Sequence, residues 1–474
     1  MNFKLLSCIG LICFLQIGNS QQSWNLVQCI DFAVKNNIGL KQSQIAVQMA
    51  ELDVKTSKHQ QFPDLSAGIN GGISFGRNVD PTTNTFTTEN ILYSNYNLSS
   101  SVVLFQSGLM RNSVKQNKLL LNAGKEDHNQ AVNDLSLSIA TFYLNVLLAE
   151  ERLEVAGRSL ELQQLQLDQI EKLIKAGVKP EADALEIKSQ LARAEQSIVL
   201  AENGLDLAWL QLKQAMRMDP ETDMQLVRLT EEQLNKIELE IYSFNQIEAK
   251  AVDQQASLRA AKIRLESAKI GEKMARALLY PSVFLSGSIG SRFSDAAIRP
   301  TAFGTERQTY EVYINNQLVK VEQDYPVITQ TEVIPFNTQF DQFLGYGVGV
   351  SVSIPIYKNY SNKAGLQKAK LATKLSDLDL QLKKEILDQN LYTAIANVKA
   401  ALKEHEAAMK SFEAGNSAFE KTSKKFQIGA ASTFELNVSQ ANLQTTEINL
   451  LIAKYDLIFK QKLLDYYAGK RIEL

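Results

Sequence analysis

The sequence predicts an α+β chain, mainly α, built from two copies of one helix–strand–strand–helix unit. Three observations carry this. Segments 218 positions apart match: Asn36-Asn37-Ile38-Gly39-Leu40-Lys41 faces Gln254-Gln255-Ala256-Ser257-Leu258-Arg259, while Ile45, Val47, Ala50 and Pro63 fall on Ile263, Leu265, Ala268 and Pro281. Within each copy the apolar period changes from helical to two and back. Nine prolines in 474 residues leave room for long helices, since proline breaks the helical hydrogen-bond ladder.

The first copy spans 21–218. Its first helix is expected over 27–62, with Ile30, Val34, Ile38, Ile45 and Leu52 at helical spacing, and Pro63 ends it. Leu65, Ala67, Ile69, Ile73 and Phe75 then alternate with small polar residues, a strand over 64–76. A polar loop leads to a second strand over 92–105. Helices follow over 108–175 and 181–216, separated by Gly177 and Pro180. A segment at 219–243 with shorter patterns joins the copies.

The second copy, 244–474, repeats the plan: helix 244–280, strands 282–293 and 344–357, helices 361–426 and 433–467. Here Leu104 matches Ile356, Phe105 matches Tyr357 and Gly177 matches Gly429, so the offset has grown to 252. A 34-residue insertion therefore falls in 293–343, a stretch rich in Thr, Gln and Asn that reads as a loop.

The strand over 344–357 has one face of Leu344, Tyr346, Val348, Val350, Val352 and Ile354. Its other face is Gly345, Gly347, Gly349, Ser351 and Ser353. A sandwich strand exposed to water carries charged or Thr-rich side chains on its solvated face. Gly and Ser alone suit a lumen, with the bulky face turned to lipid. Tyr346, Val348, Val350 and Val352 are the lipid-facing candidates. Four strands cannot close, and an open edge is not tolerated in lipid, so several chains must share one transmembrane barrel.

Lys4, the apolar run from Leu5 to Ile17 and the small residues Gly18 and Ser20 form a secretory signal peptide over 1–20; a buried apolar helix is the other reading. Cys8 and Cys13 lie inside it. Cys29 is then alone, and an intrachain disulfide is excluded. The net charge of −2 gives no electrostatic case for nucleic acid. No uninterrupted apolar stretch after Gln21 predicts a spanning helix. Helices of some 65 residues would be about 100 Å long, and their amphipathic faces require bundling as coiled coils. A cylinder crossing the periplasm, a periplasmic α-barrel, follows from these lengths.

The opening Trp24-Asn25-Leu26, the Phe62-Pro63-Asp64-Leu65 and Tyr280-Pro281-Ser282-Val283 junctions, the return Ser353-Ile354-Pro355-Ile356-Tyr357, and the turns Lys175-Ala176-Gly177-Val178 and Gln427-Ile428-Gly429-Ala430 together resemble TolC-like outer membrane factors, the outer membrane efflux proteins. The resemblance covers essentially the whole mature chain. It implies a homotrimer in the bacterial outer membrane with a twelve-stranded barrel and a twelve-helix tunnel. It further implies a passive exit duct for efflux or type I secretion, contacting lipid, a periplasmic adaptor, and an inner-membrane pump or ABC transporter. Ala176, Gly177, Val178, Ile428, Gly429 and Ala430 become the adaptor-contact tips.

Two inward aspartates at the family's entrance align with Glu435 and Val438, so one acidic ring is kept and one lost. Ser432-Thr433-Phe434-Glu435 also reads as a capping box, and Glu435 is either a cap alone or a cap and a pore ring. Asp183 matches an acidic partner of the family's closed-entrance lock, or is simply a helix-start residue favoured by the dipole. The lock's arginine and tyrosine align with Ala431 and Phe426, which cannot make the same polar bonds.

No enzyme is expected. His59, His128 and His405 are far apart, His405-Glu406 lacks a second His four residues on, and no phosphate loop occurs. No cofactor or metal is implied. The competing class is a periplasmic coiled-coil structural or adaptor protein carrying a soluble β module.

Overall fold

A computed structural model describes residues 23–79, 84–228 and 242–470. The signal peptide and residues 229–241 of the segment between the copies lie outside the described residues. The first copy contains β1 (Ser23–Trp24), α1 (Leu26–Asn36), α2 (Ile38–His59), β2 (Ser66–Ser74), β3 (Asn78–Val79), β4 (Phe86–Thr87), β5 (Ile91–Phe105), α3 (Leu109–Lys175) and α4 (Glu181–Met216). After β6 (Gln225–Leu226), the second copy contains α5 (Phe244–Gln254), α6 (Ala256–Ala277), β7 (Ser282–Ser294), β8 (Ile298–Ile314) and β9 (Gln317–Val333). It continues through α7 (Phe336–Gln342), β10 (Gly345–Ser353), α8 (Ser361–Gln427) and α9 (Thr433–Tyr467).

Three expectations are corrected. The helices expected over 27–62 and 244–280 are each broken, at Asn37 and Gln255, where the backbone turns extended (ψ 127° and 112°). Apolar spacing continues across both breaks, so periodicity alone reads straight through them. The strand expected over 344–357 stops at Ser353, ahead of Pro355, which has no N–H for a ladder. The insertion read as a loop is instead a β-ribbon of two 17-residue strands, β8 and β9, followed by α7. Its Thr and Gln residues occupy exposed strand positions, where Thr is well suited. Asn315 and Asn316, both at positive φ (52° and 66°), form the two-residue hairpin turn that asparagine favours. Most other ends agree within the residue or two by which assignments differ.

The chain forms two compact units, one from the described parts of Met1–Ala50, Leu120–Leu265 and Leu375–Leu474, the other from Glu51–Leu119 and Glu266–Lys374. In the first, Leu26, Cys29 and Ala33 of α1 pack against Ile139, Tyr143 and Leu147 of α3 and Leu212 and Met216 of α4. Burial pushes the Cys29 thiol up to about 12, so it behaves as a small apolar side chain. The Tyr143 hydroxyl reaches the carbonyls of Val227 (2.8 Å) and Trp24 (3.3 Å), tying α3 to the parallel β1–β6 pair. A second core joins Ile247, Ala251 and Leu258 to Leu387, Leu391 and Val398 of α8 and Leu464 of α9.

One helix, α3, does hold an apolar window long enough to cross a membrane. Within α3, Ile139, Ala140, Tyr143, Leu144, Val146 and Leu147 are buried in the first core, and a third of the window is buried in all.

Candidate functional site

The second unit is organised by one antiparallel sheet in the order β10-β7-β5-β2. Directly opposed residues of antiparallel strands share a face, so register fixes what each side presents. Tyr346 faces Ile289 and Val350 faces Leu285; Leu98 and Val102 face the same two β7 residues; Ala67 and Ile69 face Leu98 and Tyr96. The apolar positions of four strands thus merge into one continuous surface. The opposite surface carries Gly345, Gly347, Gly349 and Ser351 beside Ser286, Ser288 and Gly290, then Asn97, Ser99 and Ser101, then Ser66, Gly68 and Asn70. Phe284 and Val103 near one end, and Arg292, Tyr93 and Ile91 toward the other, interrupt it.

Along β10 and β2 the apolar surface is open to solvent within the chain. Tyr346 and Val348 are 86% and 81% exposed, and Val350, Val352 and Ile69 are similarly open. Among the described residues, β10 and β2 each have one unpaired edge. At the end away from the helices, α7 seats Phe336 and Phe340 on Tyr96 (5.7 and 5.6 Å between rings), and Phe336 also meets Phe293 at 5.7 Å. An aromatic rim at one end of an apolar strand surface is the arrangement of a membrane–water interface.

In the first unit the tips are built twice in the same way. Gly177 takes φ +72° and Gly429 φ +76°, a conformation that only glycine adopts without strain. At the first tip the amides of Gly177 and Val178 bond Ile174 O and Leu173 O; at the second, Gly429 and Ala430 bond Phe426 O and Lys425 O. Each helix therefore ends in a Schellman cap. This leaves Ala176, Gly177 and Val178, and Ile428, Gly429 and Ala430, exposed at the turns.

Glu435 makes the capping box with Ser432: its carboxylate accepts from Ser432 N (2.7 Å) and lies 3.0 Å from the hydroxyl, which accepts from Glu435 N (3.1 Å). The Ser432 amide, then its hydroxyl, hold the Glu435 carboxyl below the usual range. Asp183 pairs locally with Lys179 at 3.7 Å. Val438 is exposed. The structure also brings together groups that the sequence does not align: Lys179 Nζ stands 5.5 Å above the Phe426 ring, and Phe426 packs on Leu167, Ile170, Ala184 and Ile187. The two tips are thereby joined within one chain by an apolar and cation–π contact. Leu185 (69% exposed) and Phe434 (65%) add apolar surface near the turns; their position on outward helix faces is the signal that would have found them.

Beneath the tips the core becomes polar. Gln166 donates to Gln440 at 2.9 Å and Asn437 to Glu186 at 3.3 Å. Buried Gln163 Oε1, Gln166 Oε1, Thr433 Oγ1, Asn437 Oδ1 and Gln440 Nε2 have no hydrogen-bond partner among the described residues. Helix α8 exposes Leu371, Leu375, Leu378 and Leu382, at the alternating spacing of four and three found in coiled-coil seams. No group of three or more His, Cys, Asp or Glu side chains able to hold a metal occurs among the described residues.

A sheet with one bulky apolar surface, one small polar surface and two open edges, in a chain of long paired helices, defines the protomer of a shared membrane channel. The outer membrane efflux protein model matches residues 29–216 and 249–470, and the chain belongs to that family. It is an outer-membrane efflux channel protein. No curated protein matches it in sequence. Among solved structures it is similar to the outer membrane protein VceC of Vibrio cholerae (15% identity, 94% of this chain and 97% of that one, TM-score 0.73). It is also similar to the open state of the MtrE outer membrane channel of Neisseria gonorrhoeae (18%, 95% and 90%, 0.72). The Campylobacter jejuni CmeC outer membrane channel is a third (15%, 100% and 95%, 0.72). The duplicated helical and β fold is that of these channels.

Proposed function

We propose that three copies of this chain close one twelve-stranded barrel and form the passive outer-membrane duct of a tripartite efflux or type I secretion system. The observation that carries this is the four-stranded sheet with segregated faces and unpaired edges at β10 and β2. Neighbours alternate in direction across it, so β2 of one copy meets β10 of the next in antiparallel sense. Closure removes the edges that lipid forbids. The Tyr346, Val348, Val350 and Val352 surface then faces lipid, and the Gly/Ser/Asn surface lines the lumen. The exposed leucine seam of α8 supplies helix contacts between copies.

Val178 and Ile428, with Leu185 and Phe434, form the apolar face on which a periplasmic adaptor docks. Glu435 rings the periplasmic entrance while capping its helix, and the adjoining polar core lets the tips rearrange at small cost. The chain supplies no catalysis, and transport is driven by an inner-membrane pump or ABC transporter reached through the adaptor. Native mass spectrometry of the purified chain, with single-channel recording in a planar bilayer, tests the duct. A trimer that conducts is expected; a monomer, or a trimer without conductance, overturns it.

A further inference from the structure

Within the four strands β2, β5, β7 and β10, Arg292 is the single charged residue. It lies on β7 just before the strand ends at Ser294, and so at the end of the sheet away from the helices. Register places it on the polar surface. It opposes Asn95 of β5, which opposes Asn70 of β2, and it continues the run Ser286, Ser288 and Gly290 along its own strand. Its side chain is exposed. A charge on the apolar surface would be costly against lipid, whereas a lumen accepts one.

The guanidinium is held without being neutralised. It stands 5.1 Å from the centre of the Phe343 ring, a cation–π contact that orients the group and leaves its charge. Phe343 is fixed in turn by α7, its amide donating to Gln339 O at 2.9 Å. Gln339 is fully buried, accepts from Ser294 N (2.9 Å), and donates to Ser294 O and Ile334 O (both 2.8 Å). The stacking partner is thus anchored to the last residue of the strand that carries Arg292. Among the described residues Arg292 takes part in no ion pair. The nearby acid Asp295 accepts instead from Leu92 N at 2.8 Å.

We propose that Arg292 is a selectivity-determining residue of the duct: one guanidinium from each copy forms a ring at the outer mouth that binds anionic groups, carboxylate or phosphate, on passing cargo. The inference rests on the shared-barrel reading and names the charge class favoured at the outer end. The Gly, Ser and Asn residues around it are neutral, so this one residue sets the sign of the field along the strand lumen, which the low-dielectric wall focuses. Rings of arginine select anions and phosphates in pores, and the planar fork meets either oxyanion with paired hydrogen bonds. Screening over about 8 Å at physiological salt confines the effect to the mouth.

The test is single-channel recording of the purified full-length trimer in a planar bilayer, with inorganic tripolyphosphate in both chambers. The unmodified channel should be blocked, and less so as salt rises. Arg292→Gln should raise the half-blocking concentration roughly tenfold or more, while Arg292→Lys, which keeps the charge, should retain most of the block. Asn95→Asp sets a carboxylate opposite Arg292 and should relieve block likewise, which keeps the proposal testable if Arg292→Gln does not assemble. Native mass spectrometry confirms the trimer of each variant. A conducting unmodified channel that tripolyphosphate leaves open, or block unchanged in an assembled Arg292→Gln or Asn95→Asp channel, sinks the arginine ring and leaves the duct standing. An unmodified chain that forms no conducting trimer sinks both.

Discussion

Asn37 and Gln255, equivalent positions of the two copies, sit at equivalent helix breaks, and each amide still bonds the carbonyl four residues back, Ala33 and Ala251, at 2.8 Å. The helix that follows is capped differently. Asn37 Oδ1 accepts from Leu40 N at 3.2 Å. In the second copy that work passes to Gln130 of α3, whose Oε1 accepts from Ser257 N (3.2 Å) and Gln255 Nε2 (3.3 Å). Asn37→Ala should destabilise the first turn of α2, and Gln130→Ala the first turn of α6, each by ~0.5–2 kcal/mol. Amide exchange confined to the affected turn checks this.

Val350→Lys should prevent assembly in the outer membrane, since a lysine on a lipid-facing strand costs roughly 2–4 kcal/mol near the midplane and every copy carries it. Ser351→Lys, on the opposite face, should assemble and change conductance. Membrane fractionation with native gels reads both, and equal tolerance would remove the lipid assignment.

Glu435→Gln should weaken block of single channels by multivalent cations. Hydrogen bonds to Ser432 lower the folded-state carboxyl pKa. The capping contribution is therefore present above the unfolded value of about 4.3 and lost only as pH falls through the lower folded one. Cation block in the unmodified channel should stay constant from neutral pH into the mildly acidic range. Block that is unaltered by the substitution would place Glu435 outside the pore.

The Gln166–Gln440 bond predicts an asymmetry. Either single Leu substitution leaves a buried amide unpaired and should cost about 1–3 kcal/mol, whereas the double substitution should be neutral or stabilising. Exchange protection of α3 and α9 near the tips gives the comparison.

Gln339→Ala should strip three hydrogen bonds from the ribbon base at a cost of about 1–3 kcal/mol. Proteolysis of intact cells should then nick residues 298–333 much faster, with the barrel still assembled.

Some of this was legible in particular residues. Gly177 and Gly429 announced the tips because a left-handed helix end needs glycine. Ser432 with Glu435 announced the cap because its partners are three residues apart. The ribbon had a readable signal too, Asn315-Asn316 between alternating runs, but its Thr and Gln content hid it. The contact of Lys179 with Phe426 could not be read, since it joins residues far apart in the chain.

The sequence by itself determined the duplication, the order of helices and strands, and the family, because periodicity and local turn chemistry are properties of neighbouring residues. Only the tertiary structure decided how the four strands register into one apolar and one polar surface, where the helix breaks fall, and that the insertion is a two-stranded ribbon. Those depend on hydrogen bonds and packing between distant segments, which the order of residues constrains but does not display.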